Sequence, residues 1–357
     1  MTGFHRIVIK IGSNVLTRDD GTLNVDRMKS LVAQVAELRR MGVEVVMVSS
    51  GAIASGRSEI RLDHKLDPVA SRQLFSAVGQ AKLINHYYDL FGEHGLKCGQ
   101  VLTTKEDFST RAHYLTQKDC ISVLLENGVV PIVNENDTIS VTGLMFTDND
   151  ELSGLIATMT GADALIILSN IDGIYNGDPA NPASRVLERV APRQSLAKYI
   201  QTGKSSFGRG GMLTKCNIAR KVAEEGIPVM IANGKREGVL VDLVKGADVP
   251  HTLFEPAPKE TSGVKKWLAH SESFAKGRVR VNGRASQALS EKACSLLFVG
   301  ITAVEGDFRK GDIVKVLDAE GNEIGVGKAQ FDSERASQLV GRKGQRPFIH
   351  YDYLYMV

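Results

Sequence analysis

Carboxylates and carboxamides crowd two short stretches of this 357-residue chain, Asn134-Glu135-Asn136-Asp137-Thr138 and Thr147-Asp148-Asn149-Asp150-Glu151. Ten residues or fewer separate them. The first closes an apolar run, Val129-Val130-Pro131-Ile132-Val133, that reads as a buried strand. A strand that ends in Asn-Glu-Asn-Asp delivers polar groups to one edge of a sheet, the edge where open α/β folds bind ligands. So many donors and acceptors at one rim suit a small polar ligand such as an amino acid. Asp137 and Asn149 could hold an amino group, and Asp150 could organise a metal or catalytic lysines. Asp148 or Asn149 also fits as the N-cap of a helix entering at Glu151. Capping accounts for one residue of the two clusters, not for all of them.

Two lysines and several glycines could supply the complementary charge. Lys10-Ile11-Gly12-Ser13 ends the first apolar strand. Lys10 can place an ammonium over a phosphate, and Gly12 lets the backbone approach the same anion; taken alone, the segment reads more readily as an edge lysine before an ordinary turn. Ser49-Ser50-Gly51-Ala52-Ile53-Ala54-Ser55-Gly56 follows the second strand and opens toward a helix. Its N–H groups form either an anion site or a tight turn. Ser169-Asn170-Ile171-Asp172-Gly173 follows a later strand, at a position suited to a nucleotide base or ribose, or to a surface turn. Gly208-Arg209-Gly210-Gly211-Met212-Leu213-Thr214-Lys215 enters a helix and reads as a phosphate loop, although its spacing is not Walker A. The second-strand loop likewise lacks the Gly-x-Gly-x-x-Gly of a dinucleotide fingerprint.

The elements that must position these groups alternate over the first 250 or so residues. Ile7–Ile11, Val43–Val48, Val129–Val133, Ala164–Leu168 and Pro228–Ile231 read as strands. Asp26–Met41, Gln80–Phe91, Thr116–Asn127, Glu151–Thr160 and Met212–Glu225 carry helical spacing. Strands apolar on both faces and separated by helices predict an α/β fold, a mostly parallel sheet sandwiched by helices. Prolines and charges break the pattern at 259–276, which reads as a linker between a domain at 1–258 and a module at 277–357. That module shows short alternating runs and the turn Glu320-Gly321-Asn322, the mark of a small β-barrel-like domain.

Bulk composition excludes several classes. A formal net charge of +3 with 24% charged residues gives no electrostatic case for nucleic acid or an anionic membrane. Residues 277–357 hold 12 Lys+Arg against 10 Asp+Glu, too balanced for a phosphate-backbone surface, so RNA is not an expected partner. Four dispersed cysteines, Cys98, Cys120, Cys216 and Cys294, predict reduced thiols. The eight histidines lack metal-ligand spacing, so no protein-held metal is expected. Trp267 and the tyrosines at 351, 353 and 355 read as packing residues. The N-terminus has no leader pattern, and no stretch reaches the about 18 apolar residues of a membrane helix. A cytoplasmic protein with no membrane partner is expected.

Taken in order, Val8-Ile9-Lys10-Ile11-Gly12-Ser13, Val48 to Gly56, Val133 to Asp137, Asp148 to Ser153 and Gly210 to Lys215 resemble the amino-acid kinase family, and the tail from Gly277 resembles a PUA module. The resemblance covers nearly the whole chain and lies nearest the members that act on glutamate. It implies the amino-acid kinase fold followed by a PUA domain. ATP, with Mg²⁺ held mainly by its phosphates, would phosphorylate the γ-carboxylate of L-glutamate, the first step of proline biosynthesis. Lys10, Asp150 and Lys215 would be catalytic. Ser50, Gly51, Asp137 and Asn149 would bind glutamate. Lys10, Gly12, Ser169, Asn170, Gly210, Gly211, Met212, Leu213, Thr214 and Lys215 would bind ATP. Proline would act as a feedback inhibitor, the chain would form a homo-oligomer, and a separate glutamyl phosphate reductase would take the product. Two departures, Ser169-Asn170 for the family's Thr-Asp or Ser-Asp and Arg209 for its Thr, both bear on nucleotide binding. A different acceptor on the same fold is the alternative within this class.

Overall fold

A computed structural model describes residues 3–139, 146, 148–178, 181–192, 194–196, 211–258, 267–268, 271, 274–292 and 294–356. The chain forms two compact units, Met1–Thr104 with Lys118–Glu260, and Lys105–Gln117 with Thr261–Val357. The expected linker at 259–276 falls largely outside the described residues.

In the first unit the elements run β1 (Arg6–Ile11), α1 (Ser13–Leu16), α2 (Val25–Arg40), β2 (Glu44–Ser49), α3 (Ala52–Glu59), α4 (Pro68–Gly92) and β3 (Lys97–Thr103). Then come α5 (Arg111–Glu126), which begins in the second unit, β4 (Val129–Glu135), α6 (Asn149–Thr160), β5 (Ala164–Ser169), β6 (Arg189–Val190), α7 (Met212–Glu224), β7 (Val229–Asn233), α8 (Val239–Lys245) and β8 (His251–Phe254). The eight strands form one sheet in the order β3-β4-β2-β1-β5-β7-β8-β6. All neighbours are parallel except β7 and β8.

The two-residue period of the strands sorts their side chains. Ile7, Ile9 and Ile11 of β1 share a core with Val45 and Met47 of β2, Val130 and Ile132 of β4 and Ile166 and Leu168 of β5. Leu31 and Val35 of α2, Leu83 and Tyr87 of α4 and Leu240 of α8 close that core. The intervening residues of β1, Val8 and Lys10, therefore stand on the opposite face, where α6 packs on β1 and β5. The same alternation places Asn134 on the α4 side of β4 and Glu135 on the α6 side.

The parallel strands end together. Ile11, Ser49, Thr103, Glu135, Ser169 and Asn233 are the last residues of β1, β2, β3, β4, β5 and β7, so the loops that follow share one edge of the sheet. Gly51 has φ 111° at the start of α3, a conformation that favours glycine. Gly56 of α3 and Gly79 of α4 let these helices approach at backbone distance; a Cβ on Gly79 would lie 1.8 Å from the Ala52 carbonyl oxygen.

The second unit has its own core around Phe298, Phe308, Phe348 and Val316. Its elements are β9 (Gly277–Val281), α9 (Gly283–Glu291), β10 (Ile301–Gly306), β11 (Ile313–Leu317), β12 (Glu323–Lys328), α10 (Ser333–Leu339) and β13 (Leu354–Met356). The strands form one mixed sheet, β10-β9-β11-β12-β13. The expected turn at Glu320-Gly321-Asn322 joins β11 to β12, with Gly321 at φ 92°. Trp267 is buried and donates to the Phe108 carbonyl, 3.0 Å away. Tyr351 and Tyr353, read as packing residues, are instead exposed. All four cysteines are free. Among the described residues no helix is long and apolar enough to cross a membrane.

Candidate active site

The edge formed by the strand ends opens into a cavity of about 830 Å³. Lys10 and Gly12 from the end of β1, Ser50 and Gly51 after β2, Asn134 and Asp137 around the end of β4, Asp148 and Asn149 at the start of α6, Ser169 and Asn170 after β5, and Met212 and Lys215 of α7 all line it. Residues separated by up to about 200 positions in the chain thus meet because parallel strands present their carboxyl ends on one side.

Asp150 organises the charge. It is fully buried in the first turn of α6. Lys10 Nζ lies 2.5 Å from Asp150 Oδ1, and Lys215 Nζ donates to Oδ2 at 2.9 Å. One carboxylate therefore holds two ammonium groups, one on each oxygen, both on lysines that line the cavity. Burial pushes the Asp150 carboxyl up, but the two lysines overcome it and hold it down to about 2.

Asp148 is the N-cap of α6; its Oδ1 accepts from the N–H groups of Asp150 at 2.8 Å and Glu151 at 3.2 Å. The helix begins two residues earlier than periodicity predicts, because the cap and first turn are polar. Asp148 Oδ2 is buried and, among the described residues, has no hydrogen-bond partner. Burial, then the neighbouring Asp150 charge, raise its carboxyl to about 6.

The amide cluster is tied together. Asn149 Nδ2 donates to Asn134 Oδ1 at 3.0 Å, Ser50 Oγ at 3.1 Å and the Ser49 carbonyl at 3.3 Å. Asp137 Oδ1 accepts from Arg72 Nε at 2.9 Å. Ser50, Asp137 and Asn149 thus sit in the same cavity as the two lysines.

The segments expected from sequence to hold the nucleotide divide. Ser169, Asn170, Met212 and Lys215 line the cavity, whereas Gly211, Leu213 and Thr214 do not, and Leu213 is half exposed. Gly211 is the N-cap of α7 without a side-chain cap, which leaves N–H groups at that helix start for an anion. Gly210 and Arg209 lie outside the described residues. Among the described residues no three His, Cys, Asp or Glu side chains gather as metal ligands.

Sequence reasoning missed Arg72 and Gln80 of α4, and Lys235 after β7, which also lines the cavity. For Gln80 a signal existed. It lies three and seven positions before the buried Leu83 and Tyr87, a polar residue on an otherwise buried helical stripe. Arg72 and Lys235 carried none.

Family models match two segments, the amino acid kinase family over residues 5–233 and the PUA domain over residues 277–348. The chain belongs to the amino acid kinase family. Over nearly its full length it is similar to three curated proteins each named glutamate 5-kinase. That of Bacteroides thetaiotaomicron is 64% identical over 355 residues, 99% of each chain. That of Chlorobaculum tepidum is 47% identical, over 99% of this chain and 98% of the other. That of Pelobacter propionicus is 39% identical, over 96% and 91%.

Proposed function

We propose that this protein is a kinase that transfers the γ-phosphoryl group of ATP to the side-chain carboxylate of L-glutamate, giving L-glutamyl 5-phosphate at the entry to proline biosynthesis. The names of its full-length relatives support this acceptor. The observation that carries the mechanism is the buried Asp150 with an ammonium on each oxygen, beside Ser50, Asp137 and Asn149.

Phosphoryl transfer asks a protein for positioning and for charge stabilisation, not for a covalent nucleophile. Lys10 contacts the phosphoryl group in transit. Lys215 stabilises charge on the leaving ADP. Asp150 keeps both lysines ordered and near the reacting atoms. The acceptor carboxylate is already ionised at neutral pH, its ordinary pKa being about 4.3, so no general base is required. Ser50, Gly51, Asp137 and Asn149 hold the amino acid. Gly12, Ser169, Asn170 and the segment 210–215 hold the nucleotide. Both Asp150 oxygens are engaged by lysines, so the carboxylate is poorly suited to ligate a metal. Mg²⁺ is held mainly by the nucleotide phosphates, where it neutralises part of their charge.

Proline shares the α-carboxylate and amino nitrogen of glutamate, so it competes for the amino-acid pocket as a feedback inhibitor. The protein works as a cytoplasmic homo-oligomer. Its acyl phosphate product is unstable and passes to a separate glutamyl phosphate reductase. The chain divides at 1–258 and 277–357 around a linker, and the PUA domain serves structure or regulation.

A coupled assay of ADP release tests the acceptor, with glutamate, N-acetylglutamate, aspartate, carbamate and a nucleoside monophosphate compared side by side. Turnover with glutamate well above the others is expected. Turnover with another acceptor and none with glutamate would refute the assignment. Inhibition by proline at millimolar concentration, relieved by added glutamate, is the companion result.

A further inference from the structure

We propose that Gln80, which the reaction itself does not touch, is a positioning residue that sets the polarity of the amino-acid pocket by orienting Asn134 and, through it, Asn149. The proposal rests on glutamate being the acceptor, as argued above.

The two amide orientations are fixed by neighbours whose polarity is unambiguous. The Glu135 backbone N–H lies 2.9 Å from one terminal atom of Asn134, so that atom is the oxygen. The other is Nδ2, which requires an acceptor, and Gln80 Oε1 receives it at 2.8 Å. Asn134 and Gln80 are 3% and 9% exposed, so water cannot readily replace this partner. Asn134 Oδ1 is then left facing Asn149, which must present nitrogen to it at 3.0 Å. The Ser49 carbonyl 3.3 Å from the same nitrogen enforces the same choice.

The consequence is at the cavity. The Asn149 nitrogen is committed to three protein oxygens, those of Ser49, Ser50 and Asn134. Among the described residues nothing donates to Asn149 Oδ1, and Asn149 lines the cavity. The pocket is thus offered a carboxamide oxygen, an acceptor that suits the α-ammonium of an amino acid and not its carboxylate. Without the Gln80 oxygen the Asn134 amide group would be buried and unpaired. A rotation to relieve it would turn Nδ2 toward the donors of Glu135 and Asn149. The orientation of Asn149 would lose one of its supports.

Gln80→Leu removes the acceptor at similar volume. The expected result is a KM for glutamate raised about tenfold, with the KM for ATP within about twofold of wild type, the size of one lost buried hydrogen bond. Preference for glutamate over glutarate, the same diacid without the amino group, should fall by a similar factor. Gln80→Glu, which retains an acceptor oxygen, should restore most of the affinity. Gln80→Asn, which shortens the reach by one methylene, should reproduce the selective loss, and serves if the leucine variant does not fold. Unchanged KM for glutamate in both the Leu and Asn variants, or a loss shared equally by glutamate, glutarate and ATP, would overturn the relay while leaving the glutamate assignment intact. Absence of glutamate turnover by the wild-type protein would remove the premise itself.

Discussion

A carboxylate between two ammonium groups is the chemical centre of this molecule. Asp150 is fully buried, and its charge persists because Lys10 and Lys215 sit on its two oxygens. Asp150→Asn keeps the shape and removes the counter-charge. It is expected to lower kcat by about 100-fold or more while the protein still folds, as seen by steady-state kinetics alongside circular dichroism. The neighbouring Asp148 behaves in the opposite sense. Its carboxyl is raised to about 6 from an ordinary value near 3.8. The native state therefore favours its protonated form, and the charged form destabilises the fold as pH rises through that interval. Asp148→Asn preserves the helix cap and abolishes the charge. It should stabilise the protein by on the order of 1–3 kcal/mol at pH 8 and by almost nothing at pH 3.5, measured by urea unfolding. Asp150, held low, runs the other way. Its contribution is present above pH 3.8 and is lost as pH falls toward 2.

At the scale of elements, α3 lines the cavity and α4 holds Asp137 and Asn134 through Arg72 and Gln80. Gly79 faces the Ala52 carbonyl oxygen and the Gly56 nitrogen at distances that admit no side chain, 1.8 and 2.3 Å from an added Cβ. Gly79→Ala must move backbone, so a loss of about 3 kcal/mol or more is expected, with a lower melting temperature and a raised KM for glutamate. A wild-type melting curve for this variant would contradict the packing. Much of this architecture was legible beforehand. The buried strands β1, β2, β4, β5 and β7 are nearly continuous apolar runs, and each was found within two residues of its observed ends. The strand β3 escaped because it lies at the sheet edge and exposes Lys97 and Gln100, which breaks the apolar run. The helical spacing predicts α4 only from Gln80 onward, yet the helix starts at Pro68 behind an Asp67 cap. Its first three turns include Arg72 and Gln73, which bond to Asp137 and to the Thr138 carbonyl rather than packing in an apolar stripe. The short helices α8, α9 and α10, of seven to nine residues, span too few turns for a period to emerge.

For the whole molecule, each unit closes its own hydrophobic core. Phe298 is buried in the second unit and meets Phe331 and Phe348 edge-on at 5.1 and 5.6 Å. Phe298→Ala should cost about 3–5 kcal/mol in that unit, seen by calorimetry, while KM for glutamate and ATP stays within about twofold. Lys10, Asp150 and Lys215 were legible as motifs and their meeting followed from the family resemblance, but neither spacing nor composition supplied its geometry, which comes from the parallel pairing of β1 and β5 and the packing of α6 on β1 and on α7. The proposed transfer requires that meeting. Hydroxylamine trapping of the acyl phosphate, with glutamate and ATP-Mg, tests it most directly in wild type and in Lys10→Ala. Hydroxamate from the wild type and a loss of about 100-fold or more in a folded Lys10→Ala protein is the predicted result. No hydroxamate from the wild type, or undiminished hydroxamate from Lys10→Ala, would contradict it.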